Sequence, residues 1–578
     1  MRTYTVSRQR LLKLGGILAV LTTMLIAVSP VPANAATLEP RLASDLNPGP
    51  SDSYPGGLTV VNGKLVMSAI NNLGEEPWSF DGVKSTLISD ISPGSRGSDP
   101  VQFTMLGGHA YFRAETEAGG DELYRTDGTT VELVRDIVPG PDSSSPQNFT
   151  QLGSSLYFRA DTPGAGEELW KTDGTTTTQV ADLNPGNSDS SPNHLQRLGG
   201  HIYFTANVPA TGYELYRTDG TTIELVDDIY PGVASSSPRS LRTIGSNVIF
   251  TADDGLSGDE VWKTDGTTTT QVADVRPGAG GSSPDDYTAA GGWIFFAAEN
   301  ATSGEEVFRT NGTGAALVRD INPGGGDSEP EELTALGDQV FFEAYEPEHG
   351  SELWRADGGS ATMAGDLRPG KRGSSPSEIA AFEGAVYMSA TTDDEGDELW
   401  RADLGGASLI ADILPGTDGS RPQEFRPYNG ELFFTADDGT HGNELWKLAP
   451  PEVPVTDTTV SLDILSKNLK LDRKGRTTLK LRCPATEVSG PCSGKVKLST
   501  KKKIKSGGKK RSVVFASAPF SVAAGKTKTL KLRFKPPHRK LIKRNKAARA
   551  VLLQAAVKDA AGNSKTIKRT LQAKGPGK

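Results

Sequence analysis

Carboxylates are the side chains whose number and spacing could carry chemistry in this chain. Two stretches, Asp253-Asp-Gly-Leu-Ser-Gly-Asp-Glu260 and Asp437-Asp-Gly-Thr-His-Gly-Asn-Glu444, set oxygen donors beside glycine bends, as calcium loops do. Asp253, Asp254, Asp259, Asp437 and Asp438 are the candidate calcium ligands. Neither stretch keeps an Asp-x-Asp-x-Asp-Gly spacing, and sister stretches such as Pro163-Gly-Ala-Gly166 lack the leading pair. Solvated turn acids are therefore the favoured reading and a required cofactor is not expected. Catalysis finds less support. The six histidines, His109, His194, His201, His349, His441 and His538, show no metal-ligand spacing, and neither Gly-x-Ser-x-Gly nor His-Glu-x-x-His occurs. With 71 Asp and Glu in the chain, adjacency of carboxylates carries no signal, so a glycosidase or lyase is the least supported class.

The acids sit in a repeat that must position them. Glu168-Leu-Trp-Lys-Thr-Asp-Gly174 recurs every 46 residues, at Glu122, Glu214, Glu260, Glu306, Glu352, Glu398 and Glu444, with a degenerate copy at Glu76. A fixed period of this size marks a solenoid, propeller or array. Within one unit, Phe149-Thr-Gln-Leu, Leu156-Tyr-Phe-Arg-Ala, Glu168-Leu-Trp-Lys-Thr and Thr178-Gln-Val-Ala-Asp-Leu read as four strands. Asp173-Gly174 reads as a two-residue hairpin turn, and Asn184-Pro-Gly186 ends the fourth strand because proline cannot continue a ladder. Four strands with glycine-rich turns and no helical periodicity describe a propeller blade.

The order of the strands predicts closure. A lone fourth strand (Leu42 to Leu46) opens the array and strands one to three (Phe425 to Lys447) end it, so the two termini complete one blade. Residues 36–449 number 414, nine units of 46. The expectation is an all-β, nine-bladed β-propeller latched by its termini, with an open stack as the alternative. The aromatics of strand three, Trp170, Trp262, Trp354, Trp400 and Trp446, read as wedges buried between blades rather than ligand-stacking platforms. The Asp closing each fourth strand, such as Asp182, reads as a turn cap. Alternating connections put the tight turns on one face of the ring. The longer loops between strands two and three share the other face with the Pro-Gly connections, and that face is acidic (Glu115, Asp121, Glu343, Asp393, Asp394 among others).

Glu-Leu-Trp-Lys-Thr-Asp-Gly-Thr followed by Val-Ala-Asp-Leu-x-Pro-Gly resembles the bacterial ELWxxDGT-repeat family, also labelled hyalin-like. The resemblance spans nearly all of 36–449. It implies an exported propeller-type repeat protein and brings no catalytic residues with it. Copies depart from the motif at Glu76-Pro-Trp78, Asn311-Gly312 and Asp403-Leu404.

The flanks are of different character. Arg2, Arg8, Arg10 and Lys13, the apolar run Leu14 to Val28 and Ala33-Asn-Ala35 read as a cleaved signal peptide over 1–35. Residues 450–456 form a Pro-rich linker, and residues 457–578 invert the charge, with 33 Lys and Arg against five Asp and Glu. Residues 36–456 carry 66 acidic and 25 basic side chains. Alternating strands in the C-terminal region predict a small immunoglobulin-like β-sandwich, and Cys483 and Cys492 are expected to pair in an oxidising compartment. Together these features predict a secreted, envelope-associated, non-catalytic binding or adhesion protein. Its acidic loop face would meet an unknown protein or glycan, and its basic module an anionic envelope polymer or its own propeller. A structural surface protein is the alternative. Nucleic acid is not an expected partner, and no segment after the leader is apolar enough to span a bilayer.

Overall fold

The computed structural model describes residues 38–450, 460–485, 491–506, 508–560 and 562–575. The expected leader, and the linker beyond its first residue, lie outside the described residues. The chain divides into two compact units, Met1–Pro451 and Glu452–Lys578.

The first unit is a closed ring of nine four-stranded antiparallel sheets. Blades 1 to 8 are each continuous in sequence, from 56–87 to 377–411. Blade 9 combines Gln423–Tyr428, Glu431–Asp437 and Asn443–Ala449 with Glu39–Ser44, whose Leu42 lies opposite Trp446. The first strand of each blade lies against the first strand of the next, and that of blade 9 against that of blade 1. First strands are therefore innermost. Phe80 of blade 1 meets Phe433 of blade 9 at 5.6 Å between ring centroids, and the Tyr428 hydroxyl donates to the Gly63 carbonyl at 2.7 Å.

Each blade is covered on both sides by its neighbours, so its second strand is buried on both faces. In Ser155–Thr162 the consecutive residues Leu156, Tyr157 and Phe158 are all buried. Each such side chain contributes about 1.5–3 kcal/mol on burial. Trp170 shares a cluster with Tyr111 and Leu123, Trp262 with Tyr203 and Leu215, Trp354 with Phe295 and Val307, Trp400 with Phe341 and Leu353, and Trp446 with Tyr387 and Leu399. In every case the cluster joins the tryptophan's own blade to the preceding one. Trp354 and Trp446 are buried, whereas Trp170, Trp262 and Trp400 are half-buried.

The Asp-Gly turn departs from the expected two-residue form. Thr172 pairs with Thr177, leaving a four-residue loop in which Gly174 (φ +87°) is left-handed and Asp173 is not. Asp173 Oδ1 accepts the Thr175 and Thr176 amides at 2.8 and 2.7 Å, bonds that hold its carboxyl below the usual range. The aspartate caps the loop, which removes any need for a second left-handed residue.

The second unit is a sandwich of a three-stranded and a five-stranded sheet with an added two-stranded hairpin. Leu479, Leu481, Leu530 and Leu532 of one sheet share a core with Val496, Leu498, Phe520, Val551 and Leu571 of the other. Cys483 and Cys492 are disulfide-bonded beside this core. The strand pattern expected for 457–578 left out one element, the α-helix Pro536–Arg544. Pro536 and Pro537 occupy its first positions, where their missing N–H groups cost nothing. Among the described residues no helix is long and apolar enough to cross a membrane.

Candidate functional site

The glutamate opening each Glu-Leu-Trp strand is buried, 1% exposed or less in all nine blades. Glu122 Oε2 accepts from the Ile137 amide at 2.8 Å and the Ser144 hydroxyl at 2.7 Å, and Oε1 from the Val138 and Ser144 amides at 3.2 Å. The Ser144 carbonyl accepts the Asp161 amide of the next blade at 2.8 Å. One carboxylate thus gathers the outer connection of its own blade and delivers it to the neighbour. The same pairing joins Glu76 to Ser98, Glu168 to Ser190, Glu214 to Ser236, Glu260 to Ser282, Glu306 to Ser328, Glu352 to Ser374 and Glu398 to Ser420. At the closure, Glu444 accepts the Leu46 and Asn47 amides at 2.7 and 3.1 Å, tying the two ends of the ring. Burial raises these carboxyls, Glu444 to about 7. They act as clasps inside the ring. The signal for them was a glutamate followed 22 residues later by a serine in the first eight units, with Ser53 from the start of the array serving Glu444.

The tight-turn face is tied by the basic residue of the motif. Arg125, Lys171, Arg217 and Lys263 each donate to the carbonyl of the turn glycine in the next blade, Gly174, Gly220, Gly266 and Gly312, at 2.5–2.8 Å. With both faces occupied by inter-blade bonds, the rim of the central opening becomes the informative place.

That rim is polarised. The second residue of each inner strand is left-handed: Gly57, Gln102, Asn148, His194, Ser240, Asp286, Glu332, Glu378 and Glu424. A register shift follows it, as at a bulge, and the side chain is re-aimed toward the next blade. Asp286 Oδ2 accepts the Leu333 amide at 2.6 Å, and Glu332 Oε2 the Ile379 amide at 2.7 Å. From blade 6 to blade 9 these four positions are all acidic. Asp285 and Glu331 precede two of them, and Glu331 lies directly opposite Glu343 of the second strand. Burial, then repulsion from Glu331 and Glu332, pushes Glu343 up to about 7. Burial also raises Asp286 and Glu378. Blades 2, 3 and 5 carry Arg113, Arg159 and Arg239 at the corresponding pairs, each beside its own acid (Asp121, Glu167, Asp259). Like charges opposed across strands cost stability. The arc 285–424 is therefore predominantly acidic, with Arg242 the cation that acts on Asp286.

The five candidate calcium ligands are not brought together. Asp253, Asp254 and Asp259 belong to blade 5, and Asp437 and Asp438 to blade 9. Asp253 Oδ1 accepts the Gly255 amide at 2.7 Å, and Asp254 Oδ1 the Leu256 and Ser257 amides at 2.8 Å. Asp259 pairs with Arg239 at 2.9 Å. Asp437 Oδ1 takes the Gly439 amide at 2.7 Å, while Asp438 takes the Thr440 and His441 amides at 2.9 and 2.8 Å. Their oxygens shape their own loops. Among the described residues no group of three or more His, Cys, Asp or Glu is placed to hold a metal ion. The fourth-strand aspartate caps its turn in part: Asp228 and Asp320 accept the Gly232 and Gly324 amides at 3.2 and 3.3 Å. The sequence reading missed the arc, although Asp286, Glu332, Glu378 and Glu424 stand 46 residues apart, just after a Ser-x-Pro element.

No family model and no curated protein matches the chain. Among solved structures, it aligns with a prolyl endopeptidase at 10% identity over 67% of this chain and 54% of that one, with a TM-score of 0.33. It aligns with a Mycobacterium tuberculosis puromycin-hydrolyzing peptidase at 13% identity over 69% and 61%, TM-score 0.33. The Xanthomonas campestris GH74 xyloglucanase aligns at 12% identity over 92% and 81%, TM-score 0.29. The chain spans 54% and 61% of the length of the two peptidases, and similarity this low says nothing about activity. The propeller assignment rests on the strand order and closure of the ring itself.

Proposed function

We propose that this is an exported, non-catalytic binding protein. The ring presents the acidic arc at its inner rim to a cationic partner, such as a basic protein segment, while the basic C-terminal unit contacts an anionic polymer of the cell envelope. The carrying observation is the opposed Glu331–Glu343 pair, set among Glu329 and Glu332; among the described residues neither member is ion-paired. Such a pair weakens the unliganded ring, and a bound cation would offset that loss. The arc begins where the connections between blades enter the inner strands, so it lies on the same side as the acidic loops. Export is supported by the leader-like residues 1–35, by the disulfide and by the resemblance of the repeat to exported proteins.

Thermal unfolding of the full chain tests this, with a polyamine, with calcium and with chelator at matched ionic strength. The polyamine is expected to raise the ring's transition by several degrees and calcium to leave it in place. An equal response to calcium and polyamine would reduce the arc to general charge screening. No response to the polyamine would remove the arc as a site.

A further inference from the structure

The C-terminal unit contains a cavity of about 230 Å3 between the helix Pro536–Arg544 and the turn that follows Leu471. Four cations line it: Arg473 from the turn and Arg539, Lys540 and Lys543 from the helix. Leu471 and Ile542 supply an apolar floor, both buried. The acid at the cavity, Asp472, is already engaged, accepting from the Arg476 amide at 2.8 Å and its Nε at 2.6 Å. Among the described residues none of the four cations is ion-paired.

Arg539 is fixed in advance. Its Nη1 donates to the Arg473 carbonyl at 2.6 Å, and its aliphatic stem lies over Gly475, where a Cβ would meet Arg539 Cδ at 2.5 Å. Its Nε is buried and has no protein partner. Lys540 and Lys543 share one helix face at i,i+3, and Arg539 and Lys543 at i,i+4, arrangements that weaken a helix whose first turn holds no acid. A like-charged cluster around a preset guanidinium is a device for taking an anion.

We propose that this cavity is a phosphate-binding site that takes a phosphate group carried on a short glycerol- or sugar-like moiety. The cations approach from both the turn and the helix, which suits the oxygens of a tetrahedral phosphate better than the single plane of a carboxylate. The apolar floor suits the adjoining carbon chain. The volume admits one such unit, so a phosphodiester polymer would be gripped one repeat at a time. This rests on the reading of the C-terminal unit as a contact for anionic envelope material and gives that contact a place. Two sources share the chemistry, a glycerol-phosphate polymer and the headgroup of an anionic phospholipid.

The test measures binding of the full chain to short glycerol-phosphate oligomers, and to phosphatidylglycerol vesicles against phosphatidylcholine vesicles. It compares the parent with Arg539→Gln/Lys543→Gln, with Lys540→Gln/Lys543→Gln, and with the remote, exposed Lys495→Gln/Lys558→Gln/Lys565→Gln at the far end of the strand Ser564–Lys574. Either pocket variant is expected to weaken binding at least tenfold, and the remote variant less than twofold despite its larger loss of charge. The second pocket variant alters only exposed side chains, so a folding defect in the first leaves the test intact. Oligomer binding that depends on the pocket identifies the polymer, and pocket-dependent vesicle binding alone identifies the lipid headgroup. Equal losses in remote and pocket variants would overturn the cavity while leaving a diffuse anionic contact standing. Binding to neither probe would overturn both.

Discussion

Glu260 shows how a single side chain sets the geometry of a blade. Its carboxylate accepts from the Val275 and Arg276 amides and from the Ser282 hydroxyl, all inside the protein. Glu260→Ala would leave those donors unsatisfied, with an expected loss on the order of 3 kcal/mol. Ser282→Ala removes one donor and should cost about 1–1.5 kcal/mol. Urea unfolding of the two variants checks both the sizes and the order; equal, small effects would contradict the clasp. The glycines separate as sharply. At Gly174 a Cβ would meet Tyr111 Oη at 2.3 Å and Arg125 Nη1 at 2.7 Å, whereas at Gly153, also left-handed, nothing lies within 4 Å. Gly174→Ala should therefore destabilise by roughly 2–3 kcal/mol and Gly153→Ala by about 1 kcal/mol, the backbone cost alone. Comparable melting temperatures for the two would show that the turn yields to its neighbours.

At the level of elements, legibility in the sequence followed periodicity. The 46-residue recurrence and the offset of Leu42 to Leu46 carried the blade and its closure, because strand patterning and turn residues are local properties. The helix Pro536–Arg544 was hidden because lysine and arginine dominate its faces, leaving Leu541 and Ile542 as the trace of an apolar stripe. The acidic arc was hidden for another reason: its residues are far apart in sequence and become neighbours only when inner strands line one opening. The latch strand Glu39–Ser44 carries a prediction of its own. Removing residues 38–47 would expose the edge of Asn443–Ala449 and take the Leu46 and Asn47 amides from the Glu444 carboxylate. Loss of cooperative unfolding and concentration-dependent association, seen by calorimetry and light scattering, is the expected outcome. In the C-terminal unit, reducing Cys483–Cys492 opens a short loop and should cost about 2.5 kcal/mol by the loop-entropy relation, without altering the ring's transition.

For the whole molecule, the raised carboxyls of the ring act in one direction with pH. A carboxyl whose folded pKa exceeds its unfolded value binds more protons when folded, so its contribution is fully present below the unfolded value and is lost as pH rises through the folded one. For Glu343 and Glu444 that window runs from about 4.5, the ordinary value, to about 7. His349 and His441, raised by their Glu346 and Asp438 partners, lose stability in the same direction. The ring's melting temperature should therefore fall between pH 5 and pH 8, with a shallower slope in Glu343→Gln; a rise over that range would contradict the assignment. These charges are also what the binding claim rests on. The most direct measurement is calorimetric titration of the full chain with an oligolysine peptide, comparing the parent with Glu331→Gln/Glu343→Gln and with Asp393→Asn/Asp394→Asn on an exposed loop of blade 8. If the arc is the site, the first variant weakens binding at least tenfold and the second less than twofold. Equal losses, or no binding by the parent chain, would contradict it.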